Sequence, residues 1–269
     1  MAVMETPLSG YVIESELTRN RRVVIYAATD TRTQASVVLK RAQYNAEGQH
    51  ERDMFQQLMA AYSDGPSHVV HLLDSMEDNP DLWLVLERFD HTADELDPER
   101  MTPLALMSIA LGSAKGLAEM ERAGIYDDDV KPNNIAFKTG NGHVAHIDLG
   151  YARRAGEPPR GHTPLYAAPE IVAGQSSETS PCYGWARTME FLSLGRVGLG
   201  PDYRLDQFVP WMGKRFAALV AACAHPDPDA RPSITELCLA VKDSVHRRRR
   251  CVRCNAICFP DAVCRGCGQ

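Results

Sequence analysis

Short apolar runs alternate with polar turns over the first third of the chain, a pattern that is typical of β-strands. The runs are rich in β-branched and aromatic residues, and they cover residues 11–13, 23–28, 36–40, 69–74 and 82–88. Between the third and fourth runs, Met54, Phe55 and Leu58 fall at helical spacing. The pattern therefore predicts a β-rich first region that contains one helix, over about residues 46–61.

Further along the chain the apolar positions change to helical spacing. Thr102 and Pro103 are suited to the N-cap and first turn of a helix, and Gly124 is suited to end it. Two more helices are predicted around residues 216–224 and 234–245. A β-rich front followed by a helical back predicts an α+β, two-lobed architecture, and clefts between lobes are favoured ligand sites.

Composition and charge exclude some classes of protein. The chain is 44% hydrophobic and 24% charged with a net charge of −6, which is ordinary for a globular protein and gives no overall nucleic-acid signature. The longest apolar run, residues 216–224, is too short to span a bilayer, and the N-terminus lacks the features of a signal peptide. We therefore expect a cytoplasmic protein that has no membrane partner.

Two charged residues stand in apolar surroundings. Lys40 ends the strand-like run SVVLK, and Glu51 shares a helix face with Met54 and Phe55. A charge that faces a core needs a partner. The sequence therefore predicts an ion pair between Lys40 and Glu51 that would hold an anionic ligand, with two separate solvated charges as the alternative.

A second polar stretch, DDDVKPNN, contains three consecutive aspartates between apolar segments. Its third aspartate is Asp129, and Lys131 and Asn134 follow; Asp148 comes fourteen residues after Asn134. Mg²⁺ with phosphates prefers oxygen ligands such as Asp148 and Asn134, and a hydroxyl nucleophile needs a nearby carboxylate such as Asp129. The stretch is either a solvated turn or a site that handles cations and phosphate.

Taken together, these segments resemble the signature motifs of the protein kinase family, in the order and spacing of that family. The resemblance rests on the segments VVLK, LWLVLERFD, DDDVKPNN, DLG and APE. It implies that Lys40 binds ATP and that Glu51 holds this lysine in place. It also implies that Leu86 is the gatekeeper, while Glu87 and Phe89 offer backbone groups to adenine.

The same resemblance assigns roles in the catalytic loop. Asp129 is implied as the base that accepts the hydroxyl proton, and Lys131 is implied to lie beside the transferred phosphate. Asn134 and Asp148 are implied as ligands of Mg²⁺. Lys131 also resembles the serine/threonine class of the family more than the tyrosine class.

The catalytic loop departs from the family at Asp127 and Asp128, which stand where the family has a histidine and an arginine. That arginine normally grips a phosphate on the activation segment. We therefore expect a phosphate on Thr163, or elsewhere in this segment, to find no cation in the catalytic loop. The two extra carboxylates are also expected to raise the pKa of Asp129.

The glycine-rich loop of the family is a second departure. Thr18, Asn20 and Val23 align with its three glycines, so close approach of the backbone to phosphates is not expected. The neighbouring arginines either replace the amide contacts with guanidinium contacts or form a plain charged hairpin tip.

The end of the chain is rich in cysteine. Two Cys-x2-Cys pairs resemble a short zinc ribbon and predict one Zn²⁺ held by Cys251, Cys254, Cys264 and Cys267. Cys258 is left out of the predicted ligand set. Just before the tail come four arginines, Arg247, Arg248, Arg249 and Arg250, which either contact nucleic acid or an acidic protein or form a solvated linker.

The sequence therefore predicts three parts: a protein-kinase-like domain over residues 10–245, a basic linker over 246–250 and a zinc ribbon over 251–269. The predicted function is that of a divergent, bacterial-type serine/threonine kinase that transfers phosphate from ATP, with Mg²⁺, to a protein hydroxyl. A pseudokinase that serves as a scaffold or nucleotide sensor is the first alternative. A module that binds nucleic acid or protein through the arginines and the ribbon is the second.

Overall fold

The structure, a computed structural model, describes residues 8–78, 80–197 and 205–268. The chain forms two compact units. The first comprises the chain up to Phe89 together with Asp148–Gly150, and the second comprises Asp90–Ile147 and the chain from Tyr151 onward. We call them the N-terminal and C-terminal units.

The N-terminal unit is an antiparallel sheet of five strands with one helix, and the strand order is β1-β2-β3-β5-β4. Its elements are β1 (Tyr11–Arg19), β2 (Val23–Asp30), β3 (Ser36–Gln43), α1 (Ala46–Ala60), β4 (Leu72–Asp78) and β5 (Asp81–Glu87). The predicted helix is therefore present almost to the residue. β4 begins later than the apolar run that predicted it and continues into polar sequence, because it is an edge strand and is largely exposed.

Side-chain alternation on β3 positions the first group of functional residues. Val37 and Leu39 pack into an apolar cluster with Trp83 on one face of the sheet. Because successive side chains of a strand point to opposite faces, Lys40 lies on the other face. There it meets Glu51, which is on the buried side of α1.

The C-terminal unit is mainly helical, as predicted. Its elements are β6 (His91–Thr92), α2 (Pro103–Arg122), β7 (Ile125–Asp127), β8 (Ile135–Phe137), β9 (Val144–His146), β10 (Ala152–Arg154), α3 (Pro169–Val172), α4 (Ser180–Leu194), α5 (Leu205–Phe208), α6 (Lys214–Cys223), α7 (Ile234–His246), β11 (Arg249–Arg250) and β12 (Ile257–Cys258). The short strands form three small sheets, β6-β8-β9, β7-β10 and β11-β12. The β-rich first unit and the helical second unit confirm the predicted α+β class.

Helix α2 sets the position of the catalytic loop. Thr102 caps it by accepting a hydrogen bond from the Ala105 N–H, and Gly124 follows its end with a positive φ of 72°. Strand β7 starts directly afterwards. Gly112 of α2 lies so close to β9 that an added Cβ would come 2.5 Å from a carbon atom of Val144. The close packing of α2 on β9 thus depends on a glycine.

The basic segment before the tail is structured. Arg249 and Arg250, which the sequence assigns to a linker, form β11 and pair with Cys258 and Ile257 of β12. The boundaries of the three predicted parts stay predictions. Within the described ranges, every helix is too short or too polar to cross a lipid bilayer.

Candidate active site and candidate metal centre

A buried ion cluster in the N-terminal unit contains Lys40, Glu51 and Asp148; we call it the lysine cluster. The Nζ of Lys40 lies 2.6 Å from Glu51 Oε1 and 2.7 Å from Asp148 Oδ2. The side chains of Lys40 and Glu51 are each only 5% exposed, whereas that of Asp148 is 36% exposed. The predicted pair therefore forms, and the alternative of two separate solvated charges is excluded.

The electrostatics of the lysine cluster keep the ammonium charged. Burial disfavours the charged form, but the carboxylates of Asp148 and Glu51 outweigh it and raise the pKa of Lys40 above its usual value. The second oxygen of Asp148 accepts a hydrogen bond of 2.9 Å from the Gly150 N–H, which fixes the carboxylate. A fixed cation beside a partly exposed carboxylate is suited to bind phosphate together with a divalent metal.

The three residues predicted to contact adenine lie at the end of the N-terminal unit. Leu86 is buried on β5 and pairs with Val38 of β3. The N–H of Glu87 donates to the carbonyl of His71 at 3.0 Å. Phe89 lies two residues beyond the end of β5. Adenine contacts from Leu86, Glu87 and Phe89 stay predictions.

The turn between β1 and β2, where the family has glycines, is held by the side chain of an asparagine. The Oδ1 of Asn20 accepts hydrogen bonds from the N–H groups of Arg22 and Val23, at 2.8 and 2.9 Å. Arg19 pairs with Glu16, and Arg22 pairs with Glu47. Because both guanidinium groups are held by carboxylates of their own unit, a plain charged hairpin tip is favoured over a phosphate-binding one.

In the C-terminal unit the carboxylate of Asp129 is held by three donors. Its Oδ2 accepts from Lys131 Nζ at 2.6 Å and from Asn134 Nδ2 at 3.1 Å, and its Oδ1 accepts from the Thr163 N–H at 2.9 Å. Burial raises the pKa of Asp129, these hydrogen bonds oppose the rise, and Asp127 adds to it. The expected direction of the shift is therefore right, but burial contributes more than like-charge repulsion.

The first aspartate of the loop, Asp127, has a histidine beside it. Its Oδ1 accepts from the Asp129 N–H at 2.9 Å, and its Oδ2 lies 3.5 Å from His146 Nδ1. His146 is fully buried on β9, and its Nε2 lies 3.1 Å from the Oγ of Ser113 on α2. Neither of these two facing atoms has a hydrogen-bond partner among the described residues, so the contact is a close approach rather than a hydrogen bond.

The second aspartate, Asp128, has an arginine beside it. The Nε of Arg153 on β10 donates to Asp128 Oδ2 at 2.7 Å, and both side chains are almost completely buried. Arg153 also donates to the carbonyl of Ser177 and lies over the ring of Tyr126. Burial raises the pKa of Asp128 to about 7, and Arg153 partly offsets this rise.

The roles of His146, Arg153 and Thr163 around the catalytic loop are not evident from the sequence. Arg153 reaches Asp128 because β10 pairs with β7, so that Ala152 lies opposite Asp127. His146 approaches Asp127 from β9, which pairs with β8. The sequence suggests Thr163 only as a site for a phosphate, whereas its Oγ1 accepts a hydrogen bond of 2.7 Å from Lys131 Nζ.

With this geometry in place, comparison with known proteins decides the family. The family model described as the protein kinase domain matches residues 11–240. This chain belongs to the protein kinase family. The match covers both units and all residues of the lysine cluster and the catalytic loop.

The chain also resembles individual bacterial proteins. It is 36% identical over 123 residues to the serine/threonine-protein kinase PkaB of Streptomyces coelicolor, across 40% of this chain and 30% of PkaB. It is 25% identical over 253 residues to the probable serine/threonine-protein kinase pknA2 of Bifidobacterium longum, across 87% of this chain and 31% of pknA2. A stretch of 66 residues is 38% identical to the protein kinase YpkA of Yersinia pseudotuberculosis and covers 24% of this chain and 9% of YpkA. The chain thus spans less than a third of the length of these relatives.

Beyond the matched range, four cysteines of the chain come together; we call them the four-cysteine cluster. The sulfur atoms of Cys251, Cys254, Cys264 and Cys267 all lie within 4.8 Å of one another. The Cys251–Cys267 and Cys254–Cys264 sulfur distances are 3.5 and 3.4 Å. They far exceed a disulfide bond of about 2.05 Å, and they fit the edges of a tetrahedron of thiolates at about 2.3 Å from one ion.

The two halves of this cluster are built alike. Asn255 donates to the Cys251 carbonyl at 2.9 Å with φ of 62°, and Gly268 donates to the Cys264 carbonyl at 2.8 Å with φ of 74°. Amides two and three residues on lower the pKa of the Cys251 thiol. Burial raises the pKa of Cys264, but the thiol of Cys254 and the equivalent amides lower it to about 6. The first cysteine of each half therefore favours the thiolate form that metals bind.

The basic run before the cluster is used within the chain. Each of its four arginines donates to a group of the same unit: Arg247 to Asp243, Arg248 to the Val245 carbonyl, Arg249 to the Ala262 carbonyl and Arg250 to the Asn255 carbonyl. The predicted contact with nucleic acid or an acidic protein has no support from these contacts.

Proposed function

We propose that the kinase transfers the γ-phosphoryl group of ATP, with Mg²⁺, to a serine or threonine hydroxyl of a protein. The observation that carries this proposal is the carboxylate of Asp129, which is oriented by Asn134, Lys131 and Thr163. A positioned carboxylate is suited to accept a hydroxyl proton, and an adjacent ammonium is suited to lie against the transferred phosphate. The names of PkaB and pknA2 support the serine/threonine class.

The other residues receive roles that fit their chemistry. Lys40, held by Glu51, would bind the phosphates of ATP, and Asp148 would ligate Mg²⁺. Asn134 directs its amide nitrogen at Asp129, so its amide oxygen would be the metal ligand. The metal would neutralise charge on the phosphates. Leu86, Glu87 and Phe89 would form the adenine contacts.

A pseudokinase that acts as a scaffold or nucleotide sensor is the second candidate. It is favoured by the turn at Asn20, which has a side-chain bond where the family uses glycine. Against it stand the lysine cluster and the pair Asp129 and Asn134, which together keep the set of residues that phosphoryl transfer would need. A chain that had abandoned catalysis would have no chemical need for this complete set.

The experiment combines nucleotide binding with phosphoryl transfer. The purified kinase is incubated with γ-labelled ATP, Mg²⁺ and generic protein substrates, beside Asp129→Asn and Asp148→Ala. We expect label on serine or threonine, and MgATP at millimolar concentration should raise the Tm. A Tm shift without transfer would favour the nucleotide sensor. If a folded protein shows neither transfer nor a Tm shift, both the enzyme and the nucleotide sensor are refuted.

We also infer that the four-cysteine cluster holds one Zn²⁺ as a structural site with four thiolate ligands. Reduced thiols of this kind suit a cytoplasmic location. Elemental analysis should give one zinc per chain, and Cys264→Ser should lose it. Cys238→Ser, at a half-buried thiol of α7 outside the cluster, is the matched control and should keep it.

A further inference from the structure

The tail that carries the four-cysteine cluster contributes to the core of the C-terminal unit. Phe259 is completely buried, and its ring centroid lies 4.8 Å from that of Phe216 on α6. Phe216 in turn packs edge-on against Trp185 of α4, at 6.0 Å. A tail that only carried an independent module would not place an aromatic ring in this core.

The tail also caps helix α6. The residue at the N-cap is Gly213, which has no side chain to accept the free N–H groups of the first turn. The Oδ2 of Asp261 accepts the N–H of Arg215 at 3.0 Å, which is the bond that a capping side chain makes. Any side chain at residue 213 would collide with the tail, since an added Cβ would lie 2.5 Å from Asp261 Oδ1.

Further contacts attach the tail to the segment before α6 and to a turn before α2. The N–H of Val263 donates to the Pro210 carbonyl at 3.1 Å. The guanidinium of Arg265 lies 4.4 Å from the ring centroid of Trp211 and donates to the Glu99 carbonyl. These contacts, with those of Phe259 and Asp261, make a continuous attachment.

The position of these contacts in the tail connects them to the metal site. Phe259, Asp261 and Val263 lie in the loop between Cys254 and Cys264, which we call the docking loop (residues 255–263). A metal bound by both cysteine pairs would fix the two ends of this loop. The tail has one pair of two-residue strands and too few residues for a core of its own, so its shape depends on the metal.

We propose that the metal-bound tail is an intramolecular clamp, whose docking loop caps and covers helix α6, so that metal content sets the stability of the C-terminal unit. The clamp rests on the proposed zinc site and is independent of the proposed phosphoryl transfer. The kinase-like domain and the zinc ribbon, which the sequence predicts as separate parts, would then depend on each other. Because coupling is reciprocal, loss of docking must also weaken metal binding.

The test uses the full chain and measures three quantities: zinc affinity by competition with a chromogenic chelator, Tm, and amide hydrogen exchange in α6. The variants are Phe259→Ala and, as a milder change, Asp261→Ala. Val252→Ala is the matched control, because Val252 is fully exposed and lies beside Cys251. None of these residues is a metal ligand or a member of the proposed catalytic site.

We expect chelation of the wild type to lower the Tm by about 5 °C or more and to raise exchange in α6. Phe259→Ala should bind zinc about tenfold more weakly, Asp261→Ala less so, and Val252→Ala should match the wild type. If zinc is bound and its removal leaves both the Tm and α6 exchange unchanged, the clamp is refuted while the zinc site stands. If the purified kinase binds no zinc, the zinc site and the clamp fail together, whatever the result of the transfer assay.

Discussion

The lysine cluster of the N-terminal unit and the aspartate triplet of the C-terminal unit (Asp127, Asp128 and Asp129) balance buried charge in different ways. In the lysine cluster one ammonium serves two carboxylates. In the triplet Asp128 pairs with Arg153 and Asp129 with Lys131, whereas Asp127 accepts from the Asp129 N–H and its second oxygen lies 3.5 Å from His146 Nδ1 without a hydrogen bond. The first arrangement keeps the residues of the family, and the second draws one cation, Arg153, from a neighbouring strand.

The difference shows why an unusual motif is weak evidence for a lost activity. A buried carboxylate is costly unless it is paired or hydrogen-bonded, so changes in a buried loop must be compensated. β10 pairs with β7 and carries Arg153, which pairs with Asp128. β9 ends at His146, which lies beside Asp127. The triplet therefore has the environment of an organised site.

Asp129→Asn should give the largest effect and separates binding from chemistry. We expect phosphoryl transfer to fall about 10²- to 10⁴-fold, because the variant cannot accept the hydroxyl proton. MgATP should still raise the Tm, since the lysine cluster is intact. Asp229→Asn is the control, because Asp229 is exposed and lies far from the catalytic loop in the sequence. Equal transfer rates for Asp129→Asn and the wild type would remove Asp129 from the proposed mechanism.

Arg153→Ala tests whether the triplet depends on its distant partners. The change leaves Asp128 buried without its cation, and we expect a loss of about 3–5 kcal/mol in the free energy of unfolding at pH 8. Arg154→Ala, at a half-exposed arginine paired with Glu157, is the matched control and should cost less than about 1 kcal/mol. Changing Asp128 and Arg153 together should recover most of the loss, and no recovery would contradict the pairing.

The pKa of Asp128 predicts how stability depends on pH. Because burial raises the pKa to about 7, the folded protein keeps a proton that the unfolded chain loses at a lower pH. Below about pH 4 this carboxyl contributes roughly 4 kcal/mol at most to the free energy of unfolding. This contribution is lost as the pH rises through about 7. Denaturation at several pH values measures the free energy of unfolding of the wild type and of Asp128→Asn. If the difference between the two proteins stays constant over this pH range, Asp128 is ionised throughout.

Thr163→Val should give the smallest effect. It removes the hydroxyl that accepts from Lys131 and keeps the N–H that donates to Asp129. We expect transfer to fall about tenfold, since one hydrogen bond to a charged group is lost. Thr163→Ser keeps the hydroxyl and should retain most of the rate. If the serine and valine variants behave alike, the hydroxyl has no role in positioning Lys131.

The sequence predicts features that depend on residues close together in the chain. Lys40 and Glu51 are recognisable because their apolar neighbours face a core. The four cysteines are recognisable because their spacing suits one metal ion. His146 and Arg153 are not recognisable in the sequence, since only the folding of β9 and β10 brings them to the loop. The burial of Phe259 against α6 could not be foreseen either, because nothing in the tail indicates what it packs on.

We propose that the triplet belongs to an active site that needs no activation-segment phosphate. Asp128 stands where the family has the arginine that grips this phosphate, and Arg153 is its fixed internal partner. The most direct test is the rate of phosphoryl transfer by kinase that has been treated with phosphatase and shown by mass spectrometry to carry no phosphate. We predict the same initial rate as before treatment. A rate that disappears with the phosphate, or no transfer by a folded protein that binds MgATP, would contradict the claim.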